Sequence, residues 1–362
     1  MREVKQRFSW LCRWGGVLLL LALCLACSWQ SRRLTQRRRA QIPGASVTAS
    51  AQVPPGLNVI MVGLGGFRGL VAEALWFRVS RLQMEGRYLE LVQLANWITM
   101  LDPKASEGWV FNAWNLAYNI SVMMNRPEDR WRWVQNGIAL LRDEALRFNP
   151  HDARLYRELS WMYQHKIGED LDSAHVYYKV NLLESLSSCV NSNGTVRVSE
   201  ESRATLAAMS LDMERMVALQ KRFGPVDWRM AATHALYWAS QGLACAHGTE
   251  LDLCERAVNQ ALMVSVFRGS FAGSVITKQW QAAPNLALAN GAAEGLIASW
   301  EKAPTPHQTI IVARYLAATI RLAVKKEQPG LARSLYERLP RVVNPPQKIP
   351  TFDEIVNGEE AK

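Results

Sequence analysis

A chain of 362 residues is too long for one small core and suits two or three domains or one elongated repeat array. Apolar residues at 49% and charged residues at 20% exclude wholesale disorder. The formal charge of +10 is concentrated: residues 1–40 carry nine Lys/Arg against Glu3 alone, whereas the rest holds 33 basic and 31 acidic side chains, which excludes a body built to grip a nucleic-acid backbone.

Residues 14–29 (WGGVLLLLALCLACSW) form a charge-free apolar run. Extended back to Trp10, past an Arg13 near enough to the end to snorkel, the run spans about 28 Å as a helix, the thickness of a bilayer's hydrocarbon. Tryptophans at both ends suit an interfacial belt. Residues 1–30 are therefore read as a retained single-pass membrane anchor. A cleaved secretory signal would have to export Arg32, Arg33, Arg37, Arg38 and Arg39 directly behind its core, which the positive-inside bias opposes. Lipidation at Cys27 is a weaker alternative, because Cys24 stands where a leucine is usual. Basic residues flank the run on both sides, so the side of the membrane stays open. Residues 31–62 turn basic, then Pro/Ser/Ala-rich, and read as a flexible tether.

From Gly65 onward apolar residues recur at three- and four-residue spacing, and no alternating strand pattern persists. Breaks fall at Gly86, Asp102-Pro103, Pro127, Asn149-Pro150, Gly168, Asn191 to Gly194, Gly224-Pro225, Gly242, Pro284, Pro304 to Pro306, Pro329-Gly330 and Pro345-Pro346. Helices of roughly 12–22 residues joined by short turns predict an all-α body of stacked hairpins, ahead of a polar tail at 346–362. The glycine-rich start, Gly63 to Gly69, has neither P-loop nor GxGxxG spacing; it reads as a tight junction, with anion binding as the alternative.

One hairpin reads Tyr156, Leu159-Ser160, Tyr163, a turn at Gly168, then Ala174 and Tyr178. An upstream unit reads Leu75, Val79, Leu82, then Gly86, then Leu91, Ala95 and Ile98, ending at Pro103; Trp109, Ala113 and Leu116 follow, with a helix from about Pro127 to Phe148. This pattern resembles the tetratricopeptide repeat (TPR), in which small residues let two helices approach and aromatics fill the space between hairpins. The match is good over 72–180, weak over 225–265 (Ala235, Trp238, Gly242, Ala257 and Ala261) and 307–340, and absent over 189–223 and 266–306, so 63–188 read as well-matched repeats and 189–345 as divergent helical repeats. The resemblance implies a right-handed TPR-like α-solenoid with a concave wall. Trp76, Trp114, Arg157 and Trp161 would face that wall, with Arg154, Gln164 and His165 on the same face of the third unit. A peptide would lay apolar side chains on the tryptophans while Arg154 or Arg157 takes a carboxylate. Set against this, most of the fourteen tryptophans are expected to pack between helices.

Other constellations are thinner. His165, Asp172 and His175 could meet across the turn near Gly168 and hold a metal, although such residues commonly cap helices. Asn112, Asn115 and Asn119 share a helix face and read as a polar seam between helices, with a peptide-binding ladder as the alternative. Cys245 and Cys254 could bridge a short loop, but isolated packed thiols suit them better. His234 reads as structural. The expectation is a membrane-anchored scaffold or adaptor that binds a protein or peptide in a cell-envelope assembly, with no cofactor and no nucleic acid. An enzyme using the His165/Asp172/His175 cluster and a self-associating envelope component are the alternatives.

Overall fold

The structure is a computed structural model that describes residues 68–274, 279–342 and 349–358, besides isolated positions 30 and 33. Nearly all of the expected anchor (Cys27 included) and of the tether, residues 63–67 and part of the tail lie outside the described residues. The described chain is mostly helical, and among the described residues no helix is long and apolar enough to cross a membrane. It divides into two compact units between Gly108 and Trp109.

The first unit holds α1 (Arg68–Met84) and α2 (Tyr88–Leu101). Gly86, at φ 71°, supplies the left-handed residue that reverses the chain between them. The two helices pack together, and Val79, Leu82, Leu91, Ala95, Ile98 and Leu101 are buried. The spacing of Leu91, Ala95 and Ile98 is that of one helical face. On α1, Leu70, Phe77 and Met84 stay exposed at seven-residue intervals.

The second unit begins within α3 (106–123), at Trp109, and continues with α4 (127–148), α5 (153–167) and α6 (His175–Leu186). Then come α7 (Glu200–Ala208), α8 (Met213–Phe223), α9 (Ala231–Cys245) and α10 (Thr249–Arg268). A small antiparallel ribbon of β1 (Ser270–Phe271) and β2 (Ala282–Ala283) separates α10 from α11 (Ala289–Lys302). The chain closes with α12 (Pro306–Lys325), α13 (Pro329–Tyr336), α14 (Leu339–Val342) and α15 (Phe352–Asn357). Pro127, Pro306 and Pro329 stand in the first turns of their helices, where a missing N–H costs nothing. Asp152, Ser199, Asp212, Thr305 and Thr351 cap helix starts with side-chain oxygens.

Neighbouring helices pack largely in chain order: α3 on α4, α9 on α10, α10 on α11, α11 on α12 and α12 on α13, with α5 lying against α9 and α10. Small residues set the spacing. A Cβ at Gly137 of α4 would lie 2.7 Å from the Ala113 carbonyl oxygen and 3.1 Å from Ala117 Cβ of α3. Three helices loosen into single wide turns with i→i+5 bonding, at Asn115–Ile120, Leu140–Ala145 and Met162–Ile167.

Two features differ from the sequence expectation. Gly242 does not break a helix; it lies inside α9, where a Cβ would meet Tyr156 Cβ at 3.0 Å and Cys254 Sγ at 3.1 Å. The chain turns instead at Gly248, φ 57°. The ribbon after α10 is also new, and a buried carboxylate ties it down. Asp227 grips the Arg229 guanidinium at 2.8 Å through both oxygens and accepts the Phe271 amide at 2.9 Å. A Cβ at Gly194, φ 83°, would collide with this carboxylate, so the 191–196 loop needs glycine there.

Candidate functional site

Helix α5 carries most of the predicted site residues, and its two sides differ. The side toward α3 is a closed polar seam. Trp114 stacks on Tyr118, centroids 4.6 Å apart, and its indole N–H donates to Glu158 Oε2 at 2.9 Å. The wide turn of α5 brings Lys166 over the Tyr118 ring at 5.3 Å and onto Asp172 Oδ2 at 2.6 Å. Asp172 also accepts from Arg130 Nη1 at 3.0 Å, the Ala174 amide at 2.9 Å and the Tyr178 hydroxyl at 3.1 Å. Burial opposes the Asp172 charge, but the Lys166 ammonium and the Ala174 amide outweigh it and hold the carboxyl at about 2. Burial, reinforced by the Asp172 charge, pushes the Tyr178 phenol up, and burial with the Glu158 charge does the same to Tyr118. An open cavity of about 390 Å³ beside Tyr118, Arg130 and His165 adds no unmatched charge, because Arg130 also donates to Ser173 Oγ and the Met124 carbonyl.

The trio His165, Asp172 and His175 does not assemble. Asp172 faces the cations of the seam, while His175 Nδ1 lies 3.1 Å from both Asp170 Oδ1 and Lys179 Nζ. The Lys179 ammonium, followed by Arg268, holds Asp170 at about 2. Burial, then the Lys179 charge, lowers His175. Among the described residues no group of three His, Cys, Asp or Glu side chains is arranged to hold a metal. Asn115 donates to the Phe111 carbonyl at 2.8 Å and Asn119 to Asn115 Oδ1 at 2.6 Å, so both amides serve helix α3 itself. Cys245 and Cys254 share a small cluster with Ala153 and Ala246 but are free thiols. Burial, then the Glu250 charge, raises the Cys254 thiol to about 11, far from a nucleophile's range.

The other side of α5 faces α10 and is open. Trp161 is 36% exposed and stacks on His165, centroids 4.8 Å apart. With Arg157, Ser160 and Gln164 it forms one wall of a cavity of about 210 Å³; Leu253, Arg256, Ala257 and Gln260 of α10 form the other. Arg256, Gln260 and Met263 continue into a second cavity of about 280 Å³, walled by Leu296, Trp300, Ile311 and Val312 of α11 and α12. Among the described residues no acidic side chain lines either cavity. Gln164 is 6% exposed, and its Oε1 has no hydrogen-bond partner among the described residues. Arg256 is exposed and makes no ion pair among the described residues.

The predicted wall is therefore redistributed. Trp161 and Gln164 line the opening. His165 supports Trp161 from behind. Trp114 belongs to the seam, because its N–H and its ring face are both engaged there. Arg157 lines the opening but is not a free cation: it pairs with Glu158 at 3.2 Å and Glu250 at 3.0 Å. Arg154 is half-buried and lines neither cavity, and Trp76 is half-buried on α1 of the first unit. Arg256 and Gln260 were missed, although with Leu253 and Met263 they form one face of α10 at three- and four-residue spacing. No protein-family model matches the chain, and no curated protein or solved structure is significantly similar to it.

Proposed function

We propose that the chain is a scaffold or adaptor, tethered to a membrane by residues 1–30, whose second unit captures an acidic and apolar segment of a partner protein along the α5–α10 face. In this reading the helix pairs form a TPR-like solenoid, which the chain-order packing and the small-residue contact at Gly137 support. The observation that carries the binding role is the open face itself: an exposed tryptophan, a buried unmatched carbonyl and an unpaired guanidinium side by side, with no lining carboxylate among the described residues. A tryptophan and an arginine are the side chains that anchor interfaces most strongly. An unpaired cation in an acid-free lining selects a carboxylate, and amide side chains at Gln164, Asn259 and Gln260 suit a peptide backbone.

The test places a photo-crosslinking residue at Gln260 of the full chain in native membranes. One discrete adduct is expected, and Arg256→Glu should remove it while helicity is kept. An adduct indifferent to Arg256→Glu and to Trp161→Ala would overturn the assignment of this face.

A further inference from the structure

A third cavity, about 240 Å³, shares Gln164 with the α5–α10 cavity but not Trp161. Its walls are the sulfur and aromatic side chains of Met230, Met263, Phe267 and Trp280, with Ala232 and Ala282 leaving flat space between them. Gln164 is part of the lining, and its buried Oε1 is the acceptor without a partner among the described residues. Buried carbonyls of this kind are rare, and one at the wall of an apolar cavity calls for a donor on whatever enters. The charged lining adds no net demand for charge. Lys179 and Arg268 both bond to Asp170, at 2.9 Å for Arg268, and the Glu169 carboxyl also lines the cavity, so two carboxylates balance the two cations. The volume falls below the ~300–1,000 Å³ of drug-sized ligand sites, which limits the occupant to one or two fused rings. Methionine sulfurs and aromatic walls favour a flat π-system.

We propose that this cavity binds a neutral aromatic ring system bearing one N–H or O–H donor, with the donor on Gln164 Oε1 and the ring between Met230, Met263 and Phe267. Gln164 also lines the α5–α10 face, but the proposal uses neither Trp161 nor Arg256, so it stands or falls apart from the partner-binding role of that face. The ring is either a free small compound or an aromatic side chain of a bound segment.

Indole is the probe, and benzothiophene, of the same shape without the N–H, is its control. Both are titrated into the full chain by calorimetry, with methionine methyl NMR as a second readout. Indole is expected to bind about tenfold more tightly, the equivalent of ~1.4 kcal/mol, and to shift the Met230 and Met263 methyls. Gln164→Leu should bring the two affinities together; Gln164→Met serves the same end if the first variant folds poorly. Ala282→Leu, which fills the flat space, should weaken both. A capped tryptophan that displaces indole assigns the site to an aromatic side chain; one that is excluded assigns it to a free compound. Equal binding of indole and benzothiophene to the unaltered chain, or no binding of either, would overturn the proposal.

Discussion

On the α3 side of helix α5, Lys166, Arg130 and Tyr178 all donate to Asp172, and Glu158 accepts from Trp114, so donors and acceptors are matched. On the α10 side, one turn away, Gln164 and Arg256 present a carbonyl and a cation without a partner among the described residues, beside a Trp161 ring that is backed by His165 and 36% exposed. Both sides are rich in aromatic and polar residues, so composition does not separate them. What separates them is satisfaction. A charge network that closes on itself fixes the fit between helices, whereas groups left open in a concave lining await something from outside.

The largest effect should come from opening the closed side. The Lys166 and Asp172 side chains are 4% and 7% exposed, so removing one strands the other in a poorly solvated place. Asp172→Ala is expected to cost about 3–5 kcal/mol, read as a lowered urea midpoint with an unchanged slope. A loss below about 1 kcal/mol would show that the seam is hydrated and that the contrast with the α10 side is false.

Acid should reveal the same closed interior with a smaller effect. His234 is fully buried, stacks on Tyr163 at 4.9 Å and contacts the Trp228 carbonyl at 3.0 Å; burial depresses it to about 4. As pH falls from 6.5 towards 4, the unfolded chain takes up a proton that the native chain refuses. Stability should therefore decline by roughly 3 kcal/mol across that window, and His234→Phe should flatten the decline. Asp170 and Asp172 act lower. Their depressed pKa values give stability that is complete above the unfolded value of 3.8 and is lost as pH falls towards about 2. Urea titrations at stepped pH separate the two ranges, and an unchanged profile in His234→Phe would remove the histidine from the account.

Helical periodicity made the all-α body and most helix ends legible, since proline stops and polar caps act locally. It also put Trp161 and Gln164 on one helix face, and both line the cavity between α5 and α10. It failed where the deciding partner was distant in sequence. Trp114 satisfies the same helical pattern as Trp161, and only Glu158, 44 residues on, makes it part of a seam. Arg157 looks free until Glu250, 93 residues on, is known to lie beside it. Gly242 reads as a break because glycine has two uses, and its actual one, a close approach to Tyr156 and Cys254, leaves no local mark. The α10 wall lay in a stretch where the repeat pattern was weak, so Arg256 and Gln260 had no frame to assign them to a face.

The smallest expected effect is the sharpest for the comparison, because its sign is opposite. Gln164 places a carbonyl in a buried position without a partner, and leucine is close to it in shape and carries no polar atom. Replacing an unmatched buried acceptor by an apolar group removes a desolvation penalty, so Gln164→Leu should leave the chain as stable as before or raise its stability by about 0.5–1 kcal/mol. Asp172→Ala in the seam and Gln164→Leu in the open face would then move the urea midpoint in opposite directions, although both remove a polar group from the same stretch of chain. A Gln164→Leu chain that melts early would mean that Oε1 is bonded within the native fold. The two sides of α5 would then obey one rule, and an unsatisfied carbonyl would no longer mark a place where a ligand belongs.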